Sequence, residues 1–242
     1  MTRIGIDIGS TASKVCVIGE DDRPRFEVLP TGWNSKITAG IIKENLEKLG
    51  IDLESAKIVA TGYGRISVDY ADKVITEITC HGRGGYEMAG QEDCSIIDVG
   101  GQDTKYMNDK CAAGTGKFIE VMANRLGLTI EELFEEAKRG NPIPISSICT
   151  VFAESEVINY MGEGRPKEEI AAGVIDSVAT KVVTLCQKKA IADKCVITGG
   201  LSGNEYFAEL LSKKLGRTVT PLPNGRYAGA YGAAILAGKI EK

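Results

Sequence analysis

No run of apolar residues in this chain approaches the roughly 18 that a membrane-spanning helix requires. Met1-Thr-Arg leads straight into a strand-like segment broken by Asp7, without the apolar core of a secretory signal, so the expected location is the cytoplasm. Positive charge is not in excess: 29 Lys and Arg stand against 33 Asp and Glu, a net charge of −4 that argues against a nucleic-acid partner. Low-complexity linkers are missing, so any two lobes meet closely, around Glu92. The 7 cysteines contain no C-x-x-C pair, and in a reducing compartment they point to metal, redox or packing roles before disulfides. Histidine occurs once, as His81 beside Cys80, a weak metal signal on its own. What remains is 242 residues, 43% hydrophobic and 26% charged, enough for two modest cores.

Two stretches repeat one pattern. Ile4-Gly-Ile-Asp-Ile-Gly-Ser-Thr-Ala-Ser-Lys14 and Ser95-Ile-Ile-Asp-Val-Gly-Gly-Gln-Asp-Thr-Lys105 each read as a buried strand, an Asp, a Gly turn and a Lys opening the next strand. Placing Asp7 on Asp98 also places Gly9 on Gly100, Ser13 on Thr104 and Lys14 on Lys105. A carboxylate at the end of an apolar strand can hold hydrated Mg²⁺, and the following Gly lets backbone N–H groups turn towards phosphate oxygens. Either copy alone also fits an ordinary β-hairpin; two in register, at the starts of two half-chains, point to a duplication around one nucleotide. Val59-Ala-Thr-Gly-Tyr-Gly64 and Val196-Ile-Thr-Gly-Gly-Leu-Ser-Gly-Asn204 form a second matched pair downstream. The stretch from Lys105 to Thr198 is about twice as long as that from Lys14 to Thr61, so the second half carries an insertion.

Strand-like segments run from Arg3 to Ile8, Ser13 to Ile18, Lys57 to Thr61, Cys94 to Val99, Thr104 to Asn108 and Lys194 to Thr198, with helical patterns between them. The clearest helix spans Glu168 to Ala190, where Ile170, Val174, Val178, Val182 and Cys186 recur every four residues. Thr129-Ile-Glu-Glu132 is a capping box for a short acidic helix closed by Gly140, and Asn141-Pro-Ile-Pro144 enforces an extended connection. Cys111-Ala-Ala-Gly-Thr-Gly-Lys-Phe118 resembles a P-loop superficially. That motif needs Gly at the position of Cys111 and Ser or Thr at that of Phe118, which leaves Lys117 as a solvated helix residue or a phosphate ligand.

Within the insertion, Cys111 precedes a helical pattern from about Thr115 to Leu126, and Cys149 one from Thr150 to Met161. Two readings fit. At helix N-termini, unsatisfied N–H groups favour a thiolate or an anionic cluster; equally, cysteine is among the most buried residue types. Cys16, Cys80, Cys94, Cys186 and Cys195 lie in strand or helix patterns and read as core.

Asp7 to Lys14, Ala60 to Arg65, Asp98 to Lys105, Asn108 to Phe118, Ser146 to Glu156 and Thr198 to Asn204, in order along nearly the whole chain, resemble the activator ATPases of 2-hydroxyacyl-CoA dehydratases. The two cysteine segments are specific to that family within the actin, heat-shock chaperone and sugar kinase superfamily. The resemblance implies an α/β, duplicated ribonuclease-H-like, two-lobed ATPase, with lobes at residues 1–92 and 93–242 and the insertion at about 106–165. It further implies a homodimer in which Cys111 and Cys149 of each subunit jointly hold one [4Fe–4S] cluster, a count consistent with four thiolates across a two-fold axis. Asp7 and Asp98 would organise Mg²⁺ and water, and Lys14 and Lys105 would neutralise phosphate charge. Gln102 would orient the attacking water. Gly9, Ser10, Thr11, Ser13, Gly100, Gly101, Asp103 and Thr104 would line the phosphates, and Gly199, Gly200, Ser202, Gly203 and Asn204 the adenosine. The implied activity is Mg-ATP-driven electron transfer from ferredoxin or flavodoxin to a partner dehydratase or reductase. Two rivals are a small-molecule kinase, for which the N-terminal half leaves little room, and a non-catalytic ATP-dependent interaction module. No nucleotide or cluster motif reads the acyl-CoA or other final substrate, and the apolar pattern from Gly229 to Ile240 leaves the last helix free to join either lobe.

Overall fold

Two five-stranded sheets carry one topology. In the first, β1 (Arg3–Ile8), β2 (Ala12–Ile18) and β3 (Pro24–Pro30) form an antiparallel meander, while β4 (Lys57–Thr61) and β5 (Lys73–Val74) add in parallel on the other side of β1, giving the order β3-β2-β1-β4-β5. The second repeats this with β6 (Ser95–Val99), β7 (Asp103–Tyr106), β8 (Lys110–Ala113), β9 (Cys195–Gly199) and β10 (Val219–Pro221), in the order β10-β9-β6-β7-β8. The registers coincide too: Asp7 faces Lys14 and Thr61, and Asp98 faces Lys105 and Thr198. The computed structural model describes residues 1–100, 103–106, 110–113, 115–146, 150–187 and 191–240, with backbone alone at 103–106, 110–113, 115, 150 and 151.

The two central strands are buried along their length: Ile4, Ile6 and Ile8 on one face of β1, and Ile97 and Val99 on one face of β6, are essentially inaccessible, and Gly5 on the opposite face of β1 lies against Ala230 and Ala234. The four strands not anticipated from the sequence, β3, β5, β8 and β10, are all sheet edges. An edge strand packs weakly on one side and faces solvent, so it carries no continuous apolar run. The remaining strands match their expected positions to within a residue or two; Asn108 lies outside the described residues.

One expectation needs correction. Cys111 does not sit at a helix N-terminus but within β8, where its backbone pairs with Lys105. The open edge of β7 leaves backbone donors and acceptors that residues 110–113 satisfy before the helix begins at Thr115. Cys149 lies outside the described residues, directly ahead of the helix that starts at Thr150.

Eight helices are described: α1 (Ser35–Lys48), α2 (Glu77–Met88), α3 (Thr115–Arg125), α4 (Ile130–Arg139), α5 (Thr150–Gly162), α6 (Lys167–Cys186), α7 (Glu205–Leu215) and α8 (Ala228–Ala237). In α6 the expected stripe is buried, and so are Ala171, Ile175 and Ala179 beside it. That helix is the hub against which α3, α4, α5 and α7 pack. It ends at Cys186, short of the expected Ala190, and residues 188–190 lie outside the described set. The capping box of α4 is formed: the Thr129 hydroxyl accepts from the Glu132 N–H at 3.1 Å, and the Glu132 carboxylate accepts from the Thr129 N–H at 2.8 Å. Among the described residues no helix is long and apolar enough to cross a membrane.

The last helix, α8, packs on β1, β2, β4 and α2, against the first sheet. Its crossing with α2 is unusually close because small residues face one another. A Cβ on Gly232 would collide with the carbonyl oxygen of Cys80, and one on Gly84 with that of Ala228. Gly232→Ala is therefore expected to cost about 1–3 kcal/mol by overpacking and to lower Tm by roughly 3–10 °C. Gly40→Ala, on α1 with nothing within 4 Å of the added carbon, is expected to be neutral or stabilising. Paired thermal melts check both; equal melting points would show that the crossing relaxes freely.

Candidate functional site

β1 and β6 each end by carrying one carboxylate out of its sheet and into the space between them. Asp7 is 1% exposed and Asp98 4%, so both are stripped of most of their water, a state that buried carboxylates tolerate only with compensating partners. Lys14, across the ladder on β2, places its Nζ 3.8 Å from Asp7 Oδ2. Burial alone would push the Asp7 pKa up, but the positive charge of Lys14 and the contact with His81 outweigh it and hold the group below its ordinary value. Asp98 Oδ1 accepts a hydrogen bond from the Thr198 hydroxyl at 3.0 Å. Behind each carboxylate the chain turns through a left-handed glycine, Gly62 at φ +85° and Gly199 at φ +84°. A side chain at Gly199 would reach 2.7 Å from Asp98 Oδ1 and 2.5 Å from the Val99 carbonyl; one at Gly62 would meet Asp7 Oδ1 and, at 2.6 Å, the Ile8 carbonyl. The two cradles are the same piece of structure made twice. Gly199, expected on the adenosine side, stands directly beside the carboxylate.

His81 joins the two cradles. From α2 its ring reaches between them, with Nδ1 3.2 Å from Asp98 Oδ1 and Nε2 3.8 Å from Asp7 Oδ2. Burial disfavours its charged form, yet the two carboxylates prevail and push its pKa up to about 10. Glu77, one turn earlier, brings a further carboxylate, and ligand atoms of Glu77, His81 and Asp98 lie within 4.8 Å of one another. The sequence marked this residue only weakly, as a metal signal beside Cys80, because a single histidine has no spacing to read. Asp7 Oδ1 is buried with no hydrogen-bond partner among the described residues, an acceptor that suits a hydrated divalent cation.

The first turn is braced from below: the Thr31 hydroxyl donates to the Gly9 carbonyl at 2.7 Å and lies 2.8 Å from the Ser13 hydroxyl. Ser13 is wholly buried, so its oxygen fastens the turn, while Ser10 and Thr11 reach solvent. In the second motif the Gly100 carbonyl accepts from the Gly116 N–H, at the start of α3, at 3.2 Å. Gly101 and Gln102 lie outside the described residues, and Asp103, Thr104 and Lys105 are described by backbone alone. Gly200, Ser202 and Gly203 line a groove of about 480 Å³, closed by Leu222, Asn224 and Arg226. Asn204 caps α7, its side chain accepting from the Phe207 N–H at 2.9 Å. Lys117 pairs with Glu120 at 2.8 Å on the surface of α3. Cys16, Cys80, Cys186 and Cys195 are buried and Cys94 partly so, and burial pushes every one of these thiols up, Cys16 and Cys186 to about 12. They are neutral packing groups, as the sequence pattern implies.

Residues 4–237 match the BadF/BadG/BcrA/BcrD ATPase family. The (R)-2-hydroxyglutaryl-CoA dehydratase activating ATPase of Acidaminococcus fermentans is 40% identical, over 98% of this chain and 96% of that one. Among solved structures, (R)-2-hydroxyglutaryl-CoA dehydratase component A from the same organism superposes with a TM-score of 0.88 at 37% identity, over 99% of this chain and 98% of that one. The activator of the 2-hydroxyisocaproyl-CoA dehydratase from Clostridium difficile, with bound ADPNP, superposes with a TM-score of 0.86 at 33% identity, over 100% and 99%. The fold is the ribonuclease-H-like one of actin, heat-shock chaperone and sugar kinase ATPases.

If the twin carboxylates form a cation site, Asp7→Asn and Asp98→Asn should each weaken Mn²⁺ binding about tenfold or more, on the order of 1.4 kcal/mol. Titration followed by the electron paramagnetic resonance of free Mn²⁺ measures it. Wild-type affinity in both variants would remove the carboxylates from any metal role.

Proposed function

Because this chain belongs to the BadF/BadG/BcrA/BcrD ATPase family, we propose that it couples Mg-ATP hydrolysis to low-potential, single-electron activation of a partner 2-hydroxyacyl-CoA dehydratase or related reductase. The observation that carries this reading is the pair of matched aspartate cradles, Asp7 with Gly62 and Asp98 with Gly199, brought together by the two sheets. A similar structure with bound ADPNP supports a nucleotide there. In this reading Asp7 and Asp98 hold Mg²⁺ and its water, Lys14 and Lys105 neutralise phosphate charge, and Gln102 orients the attacking water. Gly9, Ser10, Thr11, Gly100, Gly101, Asp103 and Thr104 surround the phosphates. The groove at Gly200, Ser202 and Gly203 takes the adenosine.

The donor set also fits an iron–sulfur centre. Five of the 7 cysteines are packing thiols, which leaves Cys111 on β8 and Cys149 just ahead of α5. Two thiolates per chain make the four that a [4Fe–4S] cluster takes when two copies meet on a two-fold axis, so the active species is a homodimer. When bound, such a cluster supplies one-electron chemistry at low potential. The chain's own part is to tie nucleotide and thiolate together: the β7–β8 hairpin runs from the phosphate Lys105 to Cys111, and Gly100 is hydrogen-bonded to the first turn of α3. Movement of the phosphate turn therefore reaches both flanks of Cys111. Ferredoxin or flavodoxin is the donor and the cytoplasm the setting.

Anaerobically purified protein should be brown, with close to one [4Fe–4S] per dimer, and Cys111→Ser or Cys149→Ser should lose it, since serine is a poor replacement for a thiolate. Full iron content in either variant would sink the assignment. The reduced protein's paramagnetic resonance spectrum should also differ between ADP and a non-hydrolysable ATP analogue. Identical spectra and potentials in the two states would mean that hydrolysis does not gate the electron.

A further inference from the structure

We propose that His81 is a positioning residue for hydrolysis, an interlobe brace that sets the distance between the two cation-holding aspartates. The proposal deepens the Mg-ATP reading above and rests on it. Asp7 belongs to the first sheet and Asp98 to the second, so no shared strand fixes their separation. The one side chain described as touching both is His81, and its ring is 5% exposed. It stands on α2, which packs against α8 over the first sheet and directly against β6 and β9 of the second.

Two further features aim the ring. The glycine contacts of the α2–α8 crossing, at Gly84 and Gly232, bring the helix close enough for the ring to reach β1. On α8, Gly229 leaves open the space that the pair occupies: a Cβ there would come within 2.6 Å of His81 Nε2 and 2.7 Å of Asp7 Oδ2. A glycine placed against this one contact, on a helix otherwise rich in alanine, is what a fixed imidazole–carboxylate pair requires. Among the described side chains, Glu77 stands beside His81 and Asp98 and Lys14 beside Asp7. Hydrolysis by displacement in line demands that cation, phosphate and water keep their geometry, and sub-ångström drift between the two carboxylates degrades the rate far more than binding. Nucleotide affinity, resting on the turns and the groove of the second lobe, is largely independent of the brace.

The test is His81→Ala, His81→Asn and Gly229→Ala in the full-length protein, with steady-state hydrolysis, binding of a fluorescent ADP and thermal melts. His81→Ala should lower kcat on the order of thirtyfold while KM and ADP affinity stay within about threefold. His81→Asn, which keeps a polar side chain of similar reach beside Asp98, should recover part of the loss. Gly229→Ala, which leaves the histidine in place but crowds it, should give the same kcat-selective defect. A kcat within about threefold of wild type in His81→Ala would overturn the proposal, as would parallel losses in kcat, affinity and melting temperature without recovery in His81→Asn. Because the chain has 1 histidine, its ¹⁵N ring resonances give a second reading that needs no turnover. In nucleotide-free protein they should shift on Asp98→Asn, and unshifted resonances would mean that the brace does not exist in solution. If the resonances shifted on Asp98→Asn but wild-type protein neither bound nor hydrolysed Mg-ATP, the ATPase reading would fall and the positioning role of His81 with it.

Discussion

Two carboxylates buried within reach of one another are the constraint on which this molecule is built. Each loses several kcal/mol of hydration on entering the interior, and they repel each other in a medium that screens poorly. Asp7 and Asp98 persist there because positive and hydrogen-bonding groups converge on them from separate elements: Lys14 from β2, Thr198 from β9, His81 from α2. None of these partners belongs to the strand that carries the carboxylate it serves. The cluster can exist only when both sheets and the helix between them are in place, so site and tertiary fold are mutually dependent.

How far that arrangement could be read beforehand varied with the physics of each element. β1 and β6 are packed on both faces, so their apolar runs are long and unambiguous; the edge strands β3, β5, β8 and β10 are half solvated and leave only a faint pattern. The four-residue repeat in α6 is legible because a helix buries a stripe, although burial of the flanking alanines shows it to be a hub rather than a surface helix. α8 is the opposite case. Its Ala and Gly composition is apolar all round, with no face to indicate a partner, and only its packing on β1, β2 and β4 assigns it to the first sheet.

The site was legible in the same uneven way. Duplicated spacing revealed the aspartates, the turns and the Thr-Gly landmarks, since a repeat can be checked against itself. Residue type alone did not reveal the internal hydrogen bonds of two of these residues: Ser13 fastens a turn with Thr31, and Asn204 caps α7. His81 had no repeat, and Cys80 beside it gave only a weak metal signal. It acquires a role only when the chain brings α2 across both sheets.

The asymmetry between the two halves lies in what the chain inserts between equivalent strands. Between β3 and β4 the first half carries only α1, whereas the second inserts α3, α4, α5 and α6 between β8 and β9. All four inserted helices share one apolar core with β6 and β9, so the added structure is packed continuously against the strand that ends in Asp98. The hydrogen bond from Gly116 to Gly100 closes the loop at its other end, fixing α3 to the phosphate turn. A close-packed core does not absorb a shift by compressing, and α6, buried on most of its surface, gives α3 and α5 a common rigid support. The second cradle and the helices that follow the two insertion cysteines are thereby parts of one packed unit. The equivalent turn in the first half is braced by Thr31, and its sheet is covered by α1 and by α8.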